Sequence, residues 1–238
     1  MVCADRDYLR AIDSIRSQLP CVEHFVALNG EGADWLNYEA MIDASSVEFA
    51  RAEIHETDLL TINYTSGTTA RPKGVMITHR NAWMNSVGTL LYAPMTCADR
   101  YLWTLPMFHA NGWTFVWTVT AVGATHICLR KVEPRAVFEL MAAEQVTTLC
   151  AAPTVLISLA NAPANLRRLA PKGIHVVTAG APPAANTIQR LEEDLGWTIT
   201  HAARIRPGFE YASVYALRSG SGIECVLSAA RTFQKYSK

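Results

Sequence analysis

The sequence contains no Cys-x-x-Cys pair. Its six cysteines, Cys3, Cys21, Cys97, Cys128, Cys150 and Cys225, share no ligand spacing with its seven histidines. This excludes the common zinc patterns and gives no disulfide framework. Reduced, buried thiols are the expected state, with Cys128 and Cys150 in apolar runs, and they point to a cytoplasmic protein. An excess of charge of one sign is also missing. Lys+Arg and Asp+Glu balance at 21 each, which leaves no basic field for nucleic acid and no acidic tail. A signal peptide is not expected, because Met1-Val2-Cys3-Ala4-Asp5-Arg6-Asp7 carries early charges and no apolar centre. A membrane span is not expected either. The most apolar stretch, 113–129, is interrupted by Thr114, Thr118, Thr120, Gly123, Thr125 and His126. A spanning helix needs about 20 mostly apolar residues, so this stretch reads as buried core.

What is present is a chain of 238 residues, 50% hydrophobic and 18% charged, enough to build a substantial core. Apolar spacing at Tyr8, Ile12, Ile15 and Leu19 predicts a helix over 7–19, and Val22–Leu28 reads as a short strand. Leu59–Tyr64 is a strand that feeds a Thr/Ser/Gly loop, and a helical pattern runs from Thr78 to Leu91. Regular alternation follows. Strands are expected at Tyr101–Leu105, Thr125–Leu129, Thr147–Ala151, Val176–Thr178 and from Thr198 to His201. Helices are expected at Pro134–Glu144, from Pro153 to Leu159, and at Pro183–Leu195, the last ending at Gly196. This order predicts an α/β fold with a mostly parallel sheet and flanking helices.

The loop after Tyr64 is the segment with chemical character. It holds Thr65, Ser66, Gly67, Thr68 and Thr69, followed by Lys73 and Gly74, between a strand and a helix. Glycine and small hydroxyl residues let backbone N–H groups close around phosphate oxygens, and a lysine adds a point charge. The order Lys73-Gly74 is not that of a Walker A loop, so an ordinary P-loop ATPase is not supported. A Ser/Thr/Gly loop taken alone is more often a polar surface loop between a strand and a helix.

The full string Tyr64-Thr65-Ser66-Gly67-Thr68-Thr69-Ala70-Arg71-Pro72-Lys73-Gly74-Val75 resembles the signature loop of AMP-forming acyl-CoA synthetases, members of the adenylating superfamily. Leu105-Pro106-Met107-Phe108-His109-Ala110-Asn111-Gly112-Trp113 resembles the second core motif of that family. Thr178-Ala179-Gly180-Ala181-Pro182-Pro183 resembles the strand-end loop that packs on adenine. The resemblance implies that the chain is part of the large N-terminal adenylation domain of that fold, with a partial AMP-binding domain over 1–201. It implies ATP, Mg2+ and coenzyme A, with a small carboxylic acid as the further substrate. Thr65, Ser66, Gly67, Thr68, Thr69 and Lys73 would hold phosphates, and Gly180, Ala181 and Pro182 would pack on the base. Lys73 and His109 would serve catalysis, with His109 beside the acyl pocket. The run from Trp103 to Trp113 is closest to the short- to medium-chain fatty-acid group. Trp113, Phe115 and Trp117 are candidates for the acid site or for ordinary core.

The family pattern stops near His201, where a Tyr-Gly-x-Thr-Glu motif is absent. Residues 202–238 hold six Lys/Arg against two Asp/Glu and are expected to form a poorly ordered tail outside the family pattern. The expected protein is an acid–thiol ligase fragment truncated at both ends; the alternative is a nucleotide-binding remnant with no ligase activity. An open half-sheet would also expose an edge through which copies could associate.

Overall fold

The computed structural model describes residues 1–65, 72–179, 183–204 and 214–218. The chain forms two compact units, Met1–Glu53 and Ile54–Lys238. No sequence signal marked that boundary.

The first unit carries three short parallel strands, β1 (Val2–Ala4), β2 (Phe25–Ala27) and β3 (Leu36–Asn37), in that order. Its helices are α1 (Leu9–Asp13) and α2 (Tyr38–Asp43). The single helix predicted over 7–19 is instead broken. 3-10 turns at Arg6–Tyr8 and Arg16–Gln18 flank α1. The apolar spacing misled because Tyr8 and Ile15 are exposed, while Leu9 enters the core with Ala4, Phe25, Ala27 and Trp35.

The second unit begins with an antiparallel hairpin, β4 (Leu59–Thr65) and β5 (Lys73–Thr78), followed at once by α3 (His79–Tyr92). The sequence placed Lys73 in a loop between a strand and a helix; the structure places it in a strand. Thr78 starts α3 with a capping box, its hydroxyl accepting from Asn81 N–H while the Asn81 carboxamide accepts from Thr78 N–H. The chain then runs through β6 (Arg100–Trp103), α4 (Ala110–Trp113), α5 (Phe115–Ala121), β7 (Thr125–Ile127), α6 (Pro134–Ala143) and β8 (Thr148–Cys150). It continues through α7 (Pro153–Ala160), α8 (Ala164–Arg167), β9 (His175–Ala179), α9 (Ala185–Glu193), β10 (Thr198–Arg204) and β11 (Val214–Arg218).

These strands form a six-stranded sheet in the order β11-β10-β9-β8-β6-β7, parallel except for the β10–β11 pair. Alternation sends Leu102, Leu149, Val176 and Ile199 to one face, where they meet Val137, Phe138 and Met141 of α6 and Leu156 and Leu159 of α7. Tyr101, Trp103, Cys150 and Val177 face the other way, against Phe115 and Val119 of α5. The α/β expectation holds, with a mostly parallel sheet and helices on both faces. Pro134 and Pro153 each open a helix, where a missing N–H costs nothing.

Residues 202–204 extend β10, and Val214–Arg218 pairs with it. The rest of the expected tail lies outside the described residues. Among the described residues no helix is long and apolar enough to cross a membrane. Cys3, Cys21, Cys97, Cys128 and Cys150 are free, but only Cys150 is buried. The expectation for Cys128 fails because it follows β7, an edge strand whose outer side has no neighbour among the described residues. Burial in central strand β8 pushes the Cys150 thiol pKa well up, so it stays protonated.

Candidate active site

Parallel strands present their ligands at their carboxyl ends, where loops leave the sheet. Here the carboxyl end of β6 opens into 104–114, and that of β9 opens into 180–182. These are two of the segments singled out in the sequence. The described part of the second unit joins the first of them to the hairpin. Asn63 of β4 donates a side-chain hydrogen bond from Nδ2 to Oδ1 of Asn111.

In the hairpin, Lys73 lies opposite Thr65, and Gly74 lies opposite Tyr64. Lys73 is exposed, so its ammonium is free to meet an anionic ligand. A Cβ on Gly74 would stand 3.1 Å from Ile62 Cγ2, so glycine relieves crowding on this face of the hairpin. Thr65 is placed by its backbone at the end of β4. Ser66, Gly67, Thr68 and Thr69 lie outside the described residues, as do Gly180, Ala181 and Pro182.

His109 is exposed and precedes α4, which is not a regular helix. Asn111 and Gly112 have φ of 45° and 55°, and the left-handed backbone continues through Trp113 and Thr114. The Thr114 hydroxyl donates to Oδ1 of Asn85 in α3 at 2.9 Å. Below the turn, Trp103 of β6 is buried and donates from Nε1 to Nδ1 of His126 at 3.0 Å. Nδ1 must therefore be unprotonated, and Nε2 carries the proton toward the Thr120 hydroxyl at 3.0 Å. Burial lowers the His126 pKa, consistent with this neutral form.

Of the aromatic candidates, Phe115 is core, stacked on Tyr101 at 5.2 Å between ring centroids. Trp113 and Trp117 are half-buried. The sequence reading gave no role to two further side chains, Thr178 at the start of the adenine-loop string and His201. Thr178, next to the last residue of β9, and His201, in the middle of β10, are register neighbours. Each has a buried polar atom, Oγ1 and Nε2, without a hydrogen-bond partner among the described residues. Among the described residues no group of three or more His, Cys, Asp or Glu could hold a metal ion.

The chain is 38% identical over 170 residues to a peroxisomal trans-cinnamate:CoA ligase of Petunia hybrida, covering 71% of this chain and 30% of that protein. Its fold matches the N-terminal domain of FACL13 from Mycobacterium tuberculosis with a TM-score of 0.72 at 24% identity, over 86% of this chain and 50% of that one. It also matches ATP-bound MatB from Rhodopseudomonas palustris with a TM-score of 0.67 at 25% identity, over 86% and 39% of the two chains. The chain spans about 30% of the length of the curated relatives it matches. The family described as AMP-binding enzyme matches residues 1–202. With that match covering most of its length, the chain belongs to the AMP-binding enzyme family.

Proposed function

We propose that the protein binds MgATP on the β4–β5 hairpin and uses it to activate a short- to medium-chain carboxylic acid, as the adenylating part of an acyl-CoA ligase. The observation that carries this reading is the bridge between the hairpin and the turn after His109. It brings a lysine-bearing phosphate site and an acid-side segment into one unit. Thr178, near the carboxyl end of β9, and His201, beside it in β10, have buried polar atoms without a partner among the described residues, which supports a polar contact near that end of β9. Relatives named as CoA ligases support the reaction class.

In the first half-reaction a carboxylate oxygen forms a bond to the α-phosphorus. The bond from that phosphorus to the bridging oxygen breaks, and its electron pair leaves with pyrophosphate. Charge then builds on the departing phosphates, so stabilisation is mainly electrostatic. Lys73 supplies a cation there, together with Thr65 and the hydroxyls and N–H groups of Ser66, Gly67, Thr68 and Thr69. Gly180, Ala181 and Pro182 would pack on the base. His109 would sit beside the incoming acid. Magnesium, where bound, would share the phosphate charge. In the second half-reaction the sulfur of coenzyme A forms a bond to the acyl carbon, the bond from that carbon to the AMP oxygen breaks with its electron pair leaving on AMP, and the thiol proton passes to solvent.

Acid-dependent exchange between ATP and labelled pyrophosphate tests the proposal. The 238-residue chain should catalyse exchange with at least one member of a panel of short and medium fatty acids. A folded sample that exchanges with none would contradict the activity. It would favour the alternative of a nucleotide-binding protein with no ligase activity.

A further inference from the structure

Asn111, Gly112, Trp113 and Thr114 hold φ values of 45°, 55°, 55° and 74°. A left-handed residue other than glycine costs roughly 1–2 kcal/mol, and a bulky tryptophan there is an outlier. Such a turn persists only where its surroundings hold it. From β6, the Trp103 ring occupies the space that a Cβ on Gly112 would need. From α3, Asn85 accepts from Thr114. From β4, Asn63 donates to Asn111. The orientation of the Asn63 amide follows from its neighbours. Its Oδ1 accepts from the Thr61 hydroxyl at 3.4 Å, which leaves Nδ2 to donate.

We infer that Asn63 is a positioning residue that couples the nucleotide side of the site to the acid side, because it ties the hairpin strand directly to the left-handed turn after His109. The inference rests on the reading of the hairpin as the nucleotide site. A ligand that steadies β4 steadies Asn63, and through it the turn beside the acid. By linkage, an acid that steadies the turn strengthens nucleotide binding by the same factor. Trp103 and Asn85 hold the turn from elements that do not carry the phosphate loop. They supply the shape, and Asn63 supplies the connection.

Amide hydrogen exchange over 109–114, with MgATP binding followed separately by calorimetry, tests this. In the wild-type chain MgATP should slow exchange in 109–114 at least about fivefold, the effect of one neutral hydrogen bond near 1 kcal/mol. Asn63→Ala should speed exchange there by a similar factor without ligand and should bind MgATP without the slowing. Asn63→Asp should restore protection, because the Asn111 amide can turn over and donate to the carboxylate. Unchanged exchange in Asn63→Ala, or nucleotide-induced slowing that survives that substitution, would overturn the inference. So would faster exchange spreading through 134–160, since that would assign Asn63 to general stability. If wild-type chain binds no MgATP, the proposed function fails, while the ligand-free comparison of Asn63→Ala with Asn63→Asp still decides whether Asn63 holds the turn.

Discussion

The β4–β5 hairpin and the central strands of the sheet share one unit but solve different problems. Tyr101, Leu102, Leu149, Cys150 and Val176 are fully buried, with helices over both faces of their strands. In the hairpin, Tyr64 is 75% exposed and Met76 66% exposed, and Ile62 is also open to solvent. A two-stranded ribbon gains little stability by itself. The difference places the buried contacts in the sheet and leaves the element that carries Lys73 with few of them, a pattern of lower local stability. The turn at 111–114 lies between these extremes, with a strained backbone held by polar bonds to its neighbours.

Substitutions can break or sharpen this contrast. The largest effect should come from the sheet side. Phe138 is fully buried, with its ring 6.4 Å from that of Trp197. Phe138→Ala should lower unfolding stability by about 3–5 kcal/mol, read from a urea midpoint. A smaller loss should come from the strained turn. Gly112→Ala adds a Cβ at a φ of 55° against the Trp103 ring and should cost about 1–3 kcal/mol by the same measurement. A loss as large as that of Phe138→Ala would mean that the turn belongs to the core and not to an adaptable site.

The smallest effect should be a pH dependence at His126. Its folded-state pKa lies below the usual 6.5, so the unfolded chain binds a proton more readily. Its contribution to stability should be complete above about pH 6.5, the unfolded value, and lost as pH falls through the lower folded value. Thermal unfolding from pH 7.5 to 5 should show this decline, reduced in His126→Asn. An identical decline in both proteins would assign it to other groups.

The sheet was legible in the sequence because buried parallel strands read as short apolar runs between helical patterns, as at Thr148–Cys150 and His175–Ala179. β5 was not. Gly74 weakens the strand signal of Lys73–Thr78, and the pairing that makes it a strand comes from β4. The Thr/Ser/Gly loop and the His109 segment were singled out by their order of residues, whereas the bond that joins β4 to the turn after His109 was not. Asn63 sits in an otherwise strand-forming run, where asparagine is disfavoured, and that mismatch was the available clue. Nothing local announces a left-handed Trp113, since the turn is imposed by β4, β6 and α3. Thr178 and His201 became visible only when register showed them side by side.

The proposed function requires that the exposed hairpin hold the nucleotide. Titration calorimetry of MgATP into wild-type and Lys73→Ala chains tests it most directly. A hydrogen bond from a charged donor contributes roughly 1.5–3 kcal/mol, so Lys73→Ala should weaken binding at least about tenfold. The unfolding midpoint should stay the same, because Lys73 is exposed. Equal affinity in the two proteins would contradict the account.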